Sequence, residues 1–400
     1  MSISRKIGLA LTLTLAGLFL GIMGAFSSRN VSNGVFSAYQ KARIDRQANA
    51  GITDFQVVPL DTDNDLDFVQ FTSPEVGWVG NHYGLLYTTV DAGKTWQRRV
   101  LNVGIERSGL YFSDIHFESE SVGWAIAQRY GKPGEDLCVR QGSLLRTNDG
   151  GQTWQIKFTK KCVELLRITF TAGGEGWVIG HEFIHQKEEV ENRFLIMHST
   201  DHGNAWVDIS EGPNRLMIEG DGRVLDSAAG IAATGAGTAS LITGNGHILD
   251  ATENGTRWRP SESLALYSLI PEVKAMSDGS VTVNAGMDGS HGTAGMVARR
   301  DPKGKWRGSW FTDFWVKDAL FLSNREMLAV GSLLPKDKEL LLENQRQGAL
   351  LLSKNDGLDW TIVFKSTDRR SVNAVALNTD GPIWVAGSRG LLVKLIHLEN

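Results

Sequence analysis

Short apolar segments separated by turn residues follow one another along most of this chain, and the same four segments recur in the same order. In the first copy they are DFVQF (67–71), VGWVG (76–80), GLLYTT (84–89) and TWQRRV (95–100). Segments of this length, rich in valine, threonine and aromatic residues and bounded by turn residues, predict β-strands. Each repeat therefore predicts four short antiparallel strands, which is the content of one β-propeller blade.

The turn between the third and fourth strands carries the most regular pattern, S/T-x-D-x-G-x-T-W, which resembles the Asp-box repeat of bacterial neuraminidases. It occurs at 88–96, 146–154, 199–206, 251–258 and 353–360, and a degraded copy ends at Trp306. The tryptophans lie 58, 52, 52, 48 and 54 residues apart. A fixed period near 50 residues is typical of a repeat architecture.

The chemistry of the box is local to its turn. The aspartate can accept hydrogen bonds from turn amides, the glycine provides a positive φ, and the tryptophan covers the sheet with a large apolar face. We therefore interpret these residues as structural and expect no catalysis from them. They are Asp91, Gly93, Trp96, Asp149, Gly151, Trp154, Asp201, Gly203, Trp206, Gly255, Trp258, Gly357 and Trp360.

The repeats predict an all-β fold, a seven-bladed β-propeller over residues 51–400, with six or eight blades as alternatives. The last copy, GPIWVAGSRGLLVK, contains three strands and no box. The segment Asp54–Leu60 supplies a fourth strand for it. Closing the ring with this N-terminal strand removes the open sheet edges.

The N-terminus has a different composition. Arg5 and Lys6 precede an uncharged, mostly apolar segment, Ile7–Phe26. Its length fits a membrane-spanning helix as well as a long signal peptide, so residues 1–26 are predicted to be a signal peptide or a signal anchor. Residues 27–50 are predicted to be a linker, with a short helix within 38–48. The propeller is then expected in the periplasm or another extracytoplasmic space, anchored in the inner membrane if the segment is not cleaved.

The net charge and the two cysteines bear on nucleic-acid binding and on disulfide formation. The formal net charge is −4, so no basic footprint suggests nucleic-acid binding. The two cysteines, Cys138 and Cys162, lie symmetrically about Gly150 in the second box hairpin. Residues placed in this way face each other across antiparallel strands or across the strand ends. In an oxidising compartment this arrangement predicts a disulfide, with two unpaired buried thiols as the alternative.

One segment has the pattern of a metal site. HEFIH, from His181 to His185, matches the H-E-x-x-H signature of zinc proteases. That signature requires a helix, whereas here it follows the strand-like segment EGWVIG. In a strand the two histidines would lie about 13 Å apart, too far for one zinc ion. We therefore predict no metal, no cofactor and no catalytic residues, and keep His181 and His185 as weak metal candidates.

Two other classes of function fit the sequence: a propeller that cleaves or binds glycans, and a propeller that binds an acidic peptide. A sialidase-like glycosidase or a glycan-binding propeller would fit the boxes, but a sialidase needs an arginine triad, and residues 61–87 contain no arginine. Arginine binds carboxylates in a bidentate manner. Arginines on one rim of the propeller could therefore hold an acidic peptide. The alternative is that these arginines are solvated residues at hairpin ends that bind no partner. The candidates are Arg98, Arg99, Arg369, Arg370 and Arg389.

The combined unit GWVGNHYGLLYTTVDAGKTW, its copy GWAIAQ…GSLLRTNDGGQTW and the final GPIWVAGSRGLLVK are similar to the photosystem II assembly and stability factor family. The resemblance covers roughly residues 54–397. It implies an exported seven-bladed propeller without enzymatic activity that binds an immature membrane-protein subunit through an arginine-lined face. Two features depart from the family: no lipoprotein cysteine follows the apolar segment, and the fourth to sixth blades have drifted in sequence.

Overall fold

The computed structural model describes residues 39–49, 55–100, 110–130, 140–186, 189–210, 217–218, 228–244, 246–264, 268–276, 278–287, 294–323, 325–334, 347–378 and 381–395. Over these ranges the chain is all-β, and its strands form seven separate sheets of four or five strands. The sheets are the blades of a seven-bladed β-propeller, which confirms the predicted fold. No helix in these ranges is long and apolar enough to cross a membrane. The predicted signal or anchor segment 7–26 lies outside them.

Three short strands precede the first blade: β1 (Gln40–Lys41), β2 (Arg43–Asn49) and β3 (Phe55–Val57). Blade 1 contains β4 (Phe68–Phe71), β5 (Gly77–Gly80), β6 (Leu85–Thr89) and β7 (Gln97–Val100). Blade 2 contains β8 (Leu110–Phe117), β9 (Gly123–Tyr130), β10 (Arg140–Thr147) and β11 (Gln155–Lys161). Blade 3 contains β12 (Val163–Phe170), β13 (Gly176–Gln186), β14 (Glu189–Ser199) and β15 (Val207–Asp208).

The remaining blades follow the same order. Blade 4 contains β16 (Met217–Ile218), β17 (Ala228–Gly235), β18 (Thr238–Thr243), β19 (His247–Thr252) and β20 (Arg257–Ser263). Blade 5 contains β21 (Ser268–Ala275), β22 (Val281–Met287), β23 (Gly295–Arg300) and β24 (Trp306–Phe311). Blade 6 contains β25 (Phe314–Phe321), β26 (Met327–Leu333), β27 (Gln347–Ser353) and β28 (Asp359–Lys365). Blade 7 contains β29 (Val372–Leu377), β30 (Ile383–Gly387) and β31 (Leu392–Leu395).

The N-terminal strand closes the ring as predicted. β3 pairs antiparallel with β31 and becomes the outermost strand of blade 7, while the innermost strand β29 contacts β4 of blade 1. The preceding segment differs from the predicted linker and short helix. β1 adds in parallel to β24 of blade 5, and β2 adds in parallel to β28 of blade 6. The chain therefore runs along the outer edges of blades 5, 6 and 7 before it enters blade 1.

Tryptophans of the second strand hold neighbouring blades together. Trp78 of blade 1 is fully buried, stacks on Phe117 of blade 2 with 3.7 Å between ring centroids, and donates a hydrogen bond to the carbonyl of Gly150 in the next box. Trp124 of blade 2 lies against Gly203 in the box of blade 3, where an added Cβ would overlap the indole. Gly203 also has φ +72°. The box glycine therefore has two roles: it permits the turn and leaves space for the tryptophan of the preceding blade.

Hydrogen bonds inside the box follow one scheme. Oδ1 of Asp91 accepts from the amide of Thr95 at 2.9 Å and Oδ2 accepts from its hydroxyl at 2.7 Å. The hydroxyl of Thr89 accepts from the amide of Gly93 at 2.9 Å. Because the Thr95 side-chain and backbone hydrogen bonds favour the ionised form, they lower the pKa of Asp91 to about 2. The pKa values of Asp149 and Asp201 are lowered as well, by hydrogen bonds that outweigh burial in the first and by the Ala205 amide in the second.

We expect the box aspartates to make the propeller sensitive to acid. A carboxylate with a depressed folded pKa stabilises the fold above its unfolded pKa of 3.8, and this contribution is lost as the pH falls towards 2. The triple variant D91N/D149N/D201N keeps an acceptor in each turn, as Asn355 does naturally in blade 6. Urea midpoints from tryptophan fluorescence should therefore fall less steeply between about pH 4 and pH 2 in the variant than in the wild type. If the urea midpoints of both proteins fall equally steeply, the box aspartates are not the cause of the acid sensitivity.

Candidate functional site

The HEFIH segment forms a strand and not a helix. It lies on β13, where His181 pairs with Phe194 and His185 pairs with Val190 of β14. Glu182, between the histidines, forms ion pairs with Lys160 at 2.7 Å and with Arg193. Burial lowers the pKa of His181. Among the described residues no cluster of three metal-ligating side chains occurs, and the side chain of His185 lies outside them. The helical arrangement of a zinc protease is therefore not formed here.

Cys162 occupies the single residue between the last strand of blade 2 and the first strand of blade 3. It has φ +59° and is disulfide-bonded. Its amide donates to the carbonyl of Arg140. The hairpin pairs Arg146 with Gln155 next to the turn, and a bulge between Leu144 and Leu145 shifts the register by one further residue, so the pairing is not symmetric about Gly150. Cys138 lies outside the described residues, so the pairing of Cys138 with Cys162 stays a prediction.

The arginine candidates separate into two groups. Arg98 and Arg99 lie on β7, the outer strand of blade 1, where neither forms an ion pair with a described residue. Arg98 is exposed and faces the gap between blades 7 and 1. Because neighbouring residues of a strand point to opposite faces, Arg99 points towards the other side of the blade.

The second group lies on the face that carries the turns between second and third strands. Arg369 and Arg370 belong to the loop between β28 and β29, and Arg389 belongs to the turn between β30 and β31. The Arg370 guanidinium forms an ion pair with Asp368 at 2.8 Å, and Arg389 donates to the Asp368 carbonyl at 2.7 Å. The side chain of Arg389 remains 57% exposed. Asp368 therefore brings the predicted residues Arg370 and Arg389 together.

This loop cluster continues into blade 1 through hydrogen bonds. The amide of Arg389 donates to Asp65 Oδ1 at 3.0 Å, and the carbonyl of Asp65 accepts from the Asn81 side chain at 3.0 Å. Next to Asn81, Tyr83 is 78% exposed and makes an edge-to-face contact with Tyr111 of blade 2. We call this surface the loop rim; it consists of Asp65, Asn81, Tyr83, Tyr111, Asp368, Arg370 and Arg389.

The tyrosines of the loop rim were not among the sequence-based candidates. The sequence does indicate a loop there, because NHYG interrupts the apolar pattern between the second and third strands of blade 1. Loops on a rigid scaffold commonly carry binding residues.

A set of charged residues on the inner strands was also missed. Asp114 on β8 accepts from the amide of Ile168 in blade 3 at 2.9 Å, and Asp318 on β25 accepts from the amide of Val375 in blade 7 at 3.1 Å. Lys274, on the innermost strand β21 of blade 5, forms an ion pair with Asp318, although its side chain is 43% exposed. Burial alone would lower the pKa of Lys274, but the neighbouring carboxylates outweigh it and raise the pKa.

These inner-strand carboxylates are committed to structural contacts. Asp318 bridges blades 6 and 7, Asp114 bridges blades 2 and 3, and Glu272 lies 3.6 Å from the Lys274 ammonium. A glycosidase needs a carboxyl pair free to donate a proton and to attack the sugar or activate water. Asp114, Asp318 and Glu272 instead each make one of these contacts within the ring.

Comparisons with known proteins identify relatives of this chain. The family model described as "Photosynthesis system II assembly factor YCF48" matches residues 137–395. The "Photosystem II assembly lipoprotein Ycf48" of Synechococcus sp. (strain CC9902) is 24% identical over 164 residues, which are 38% of this chain and 44% of that relative's length. The chain thus spans less than half of this curated relative.

Solved structures show the same fold at low identity. A structure titled "YCF48 bound to D1 peptide" is 17% identical, with a TM-score of 0.56 over 90% of this chain and 99% of that chain. The GH74 xyloglucanase from Xanthomonas campestris is 12% identical, with a TM-score of 0.57 over 86% of this chain and 53% of that chain. Because binding proteins and enzymes share this architecture, these structural matches establish the propeller and not its activity.

Proposed function

Because the chain belongs to the photosynthesis system II assembly factor YCF48 family, whose model matches residues 137–395, we propose that it is a non-catalytic propeller that binds a membrane-protein subunit or its assembly intermediate. The solved family structure that holds a D1 peptide supports a partner of this kind. An extracytoplasmic location, with tethering to the membrane if residues 7–26 are retained, completes the proposal. The lipoprotein in the name of the Synechococcus relative supports membrane association.

The loop rim is the surface that carries this proposal. It combines exposed arginine and tyrosine side chains, which are enriched among the residues that dominate protein–protein binding energy. The hydrogen bonds through Asp368 and Asp65 fix its blade 7 loops to blade 1, and the Tyr83–Tyr111 ring contact adds blade 2. A pre-organised surface loses little conformational entropy when a partner binds. Arg389 has five N–H donors and uses few of them internally, so its guanidinium can still bind a partner carboxylate.

The proposal is tested by affinity capture from detergent-solubilised membranes with the tagged full-length protein. We expect a membrane-protein subunit to co-purify with the wild type, and recovery to fall at least about tenfold with R389E/Y83A. R325E is the matched control, because Arg325 is exposed beside the Asp-box turn of blade 6, at the opposite end of the strands from the loop rim. Undiminished recovery with R389E/Y83A would contradict the assignment of the loop rim. Recovery of no membrane-protein partner by the wild type would contradict the proposed function.

A further inference from the structure

A cleft lies where the ring closes, between the outer strands of blades 7 and 1. Its volume is about 570 Å³, and its walls come from β3 and β31 on one side and from β6, β7 and the first Asp-box on the other. Tyr87 contributes its ring, and its hydroxyl donates to the carbonyl of Asp61 at 2.9 Å across the cleft. A space of this size can hold several residues of an extended peptide.

The cleft has an excess of positive charge. Lys94, Arg98 and Lys394 line it together with a single carboxylate, Asp61, although the chain as a whole carries a net charge of −4. Lys394 lies over the Trp384 ring at 5.4 Å and donates to the Ala92 carbonyl at 3.3 Å. None of these three cations forms an ion pair with a described residue.

Other arginines of the blades differ in this respect. Arg299 is paired with Asp278, and Arg300 with Asp250. Arg299 and Arg300 have side chains only 12% and 16% exposed, whereas Lys94 and Arg98 are exposed and have no carboxylate partner among the described residues. A ligand with negative charges would supply such partners.

The outer edges of the blades show what shape of ligand fits. In blades 4, 5 and 6 a short extended segment, β16, β1 or β2, adds in parallel to the outermost strand. Over the described residues, the outermost strand of blade 7, β3, pairs only with β31. Gln56 of β3 lines the cleft. An extended peptide laid along β3 would gain main-chain hydrogen bonds and direct alternate side chains into the cleft.

We propose that this cleft binds an acidic, extended peptide segment, with its main chain along β3 and its carboxylates on Arg98 and Lys94. The site lies on the outer strands and uses none of the residues of the loop rim, so it goes beyond the proposed function. Strand addition favours a peptide over an anionic sugar, because a sugar has no backbone to continue the sheet.

Fluorescence anisotropy with a labelled octapeptide of alternating valine and glutamate tests the proposal on the full-length protein. We expect the wild type to bind this peptide at least about tenfold more tightly than the peptide with glutamine in place of glutamate. Binding should weaken as the salt concentration rises from about 50 to about 500 mM. Absence of binding, or equal affinity for both peptides, would overturn the proposal.

The variant K94E/R98E should weaken binding of the glutamate peptide at least about tenfold, because two attractive charges become repulsive. K157E/K365E is the matched control: it changes the net charge equally at exposed lysines on the outer strands of blades 2 and 6, and should retain wild-type affinity within about twofold. An equal loss in both variants would show a non-specific charge effect and overturn the site. Tighter binding of an oligogalacturonate than of the peptide would overturn the choice of a peptide. In the membrane capture experiment K94E/R98E should recover the partner as the wild type does, because neither residue belongs to the loop rim, so failure of the cleft and failure of the loop rim remain distinguishable.

Discussion

Replacing Trp384 by alanine should lower the free energy of unfolding by about 3–5 kcal/mol, the range for large-to-small changes at buried aromatic residues. Trp384 is fully buried on β30, stacks on Phe71 with 5.4 Å between ring centroids, and makes an edge-to-face contact with Trp96 at 5.6 Å. Both partners belong to blade 1. The side chain therefore packs the last blade against the first, at the point where the ring closes.

Urea unfolding monitored by circular dichroism measures this effect. Y83A is the matched control, since it removes an exposed aromatic ring from blade 1 and should change stability by less than about 0.5 kcal/mol. Gly93→Ala should disrupt the same contact from blade 1, because Gly93 has φ +77° and an added Cβ would overlap the Trp384 ring. A loss below about 1 kcal/mol for W384A would show that closure of the ring depends on β3 and not on this indole.

The contact between Trp384 and Gly93 shows which features local sequence patterns predict and which they do not. The box sequence predicts a turn with a glycine at positive φ, and the GW dipeptide predicts a strand that starts beside a glycine. Nothing in either pattern indicates that the tryptophan of one repeat packs on the box glycine of the next. That relation depends on the stacking of blades, and at ring closure it joins residues that are far apart in the chain. The repeat thus predicts the blade, whereas the contacts between blades require the structure.

The N-terminal segment shows a different limit. Residues 43–49 read RIDRQAN and lie in the polar stretch of mixed charge that is predicted to be a linker with a short helix. A fifth strand on the outside of a blade needs no buried face, because its pairing comes from main-chain hydrogen bonds and surface contacts. Arg43 pairs with Asp359 at 2.7 Å and Arg46 with Asp313 at 2.8 Å. Such a strand carries little pattern for sequence analysis to detect.

The candidate surface was predictable only in part. Arginine chemistry identified Arg370 and Arg389, and the turn positions placed them on loops. Their common partner Asp368 and their link to Tyr83 through Asp65 and Asn81 depend on loops from different blades meeting at one face. The basic cleft between blades 7 and 1 was not predicted either, since Arg98 and Lys394 are separated by almost the whole propeller in sequence.

The inner strands provide the second large effect. Asp318 follows a bulge at Val316 on β25, and its side chain is only 10% exposed. It pairs with Lys274 of blade 5 and accepts from the amide of Val375 in blade 7 at 3.1 Å. One carboxylate therefore connects three consecutive blades. Removing it leaves a cation and a backbone amide without their partner in a partly desolvated site.

We expect D318A to lower the free energy of unfolding by about 2–3 kcal/mol, below the usual loss for a fully buried pair because water reaches Lys274. D318N, which keeps an acceptor for the Val375 amide, should lose less. Because the double variant D318A/K274M removes the uncompensated cation as well, it should be less destabilised than the sum of its single variants, with a coupling of at least about 0.5 kcal/mol. Urea unfolding at pH 7 of the wild type, D318A, K274M and D318A/K274M completes the double-mutant cycle. Additive losses would mean that Asp318 acts through the Val375 amide alone, and that the charge of Lys274 does not help to hold blade 5 to blade 6.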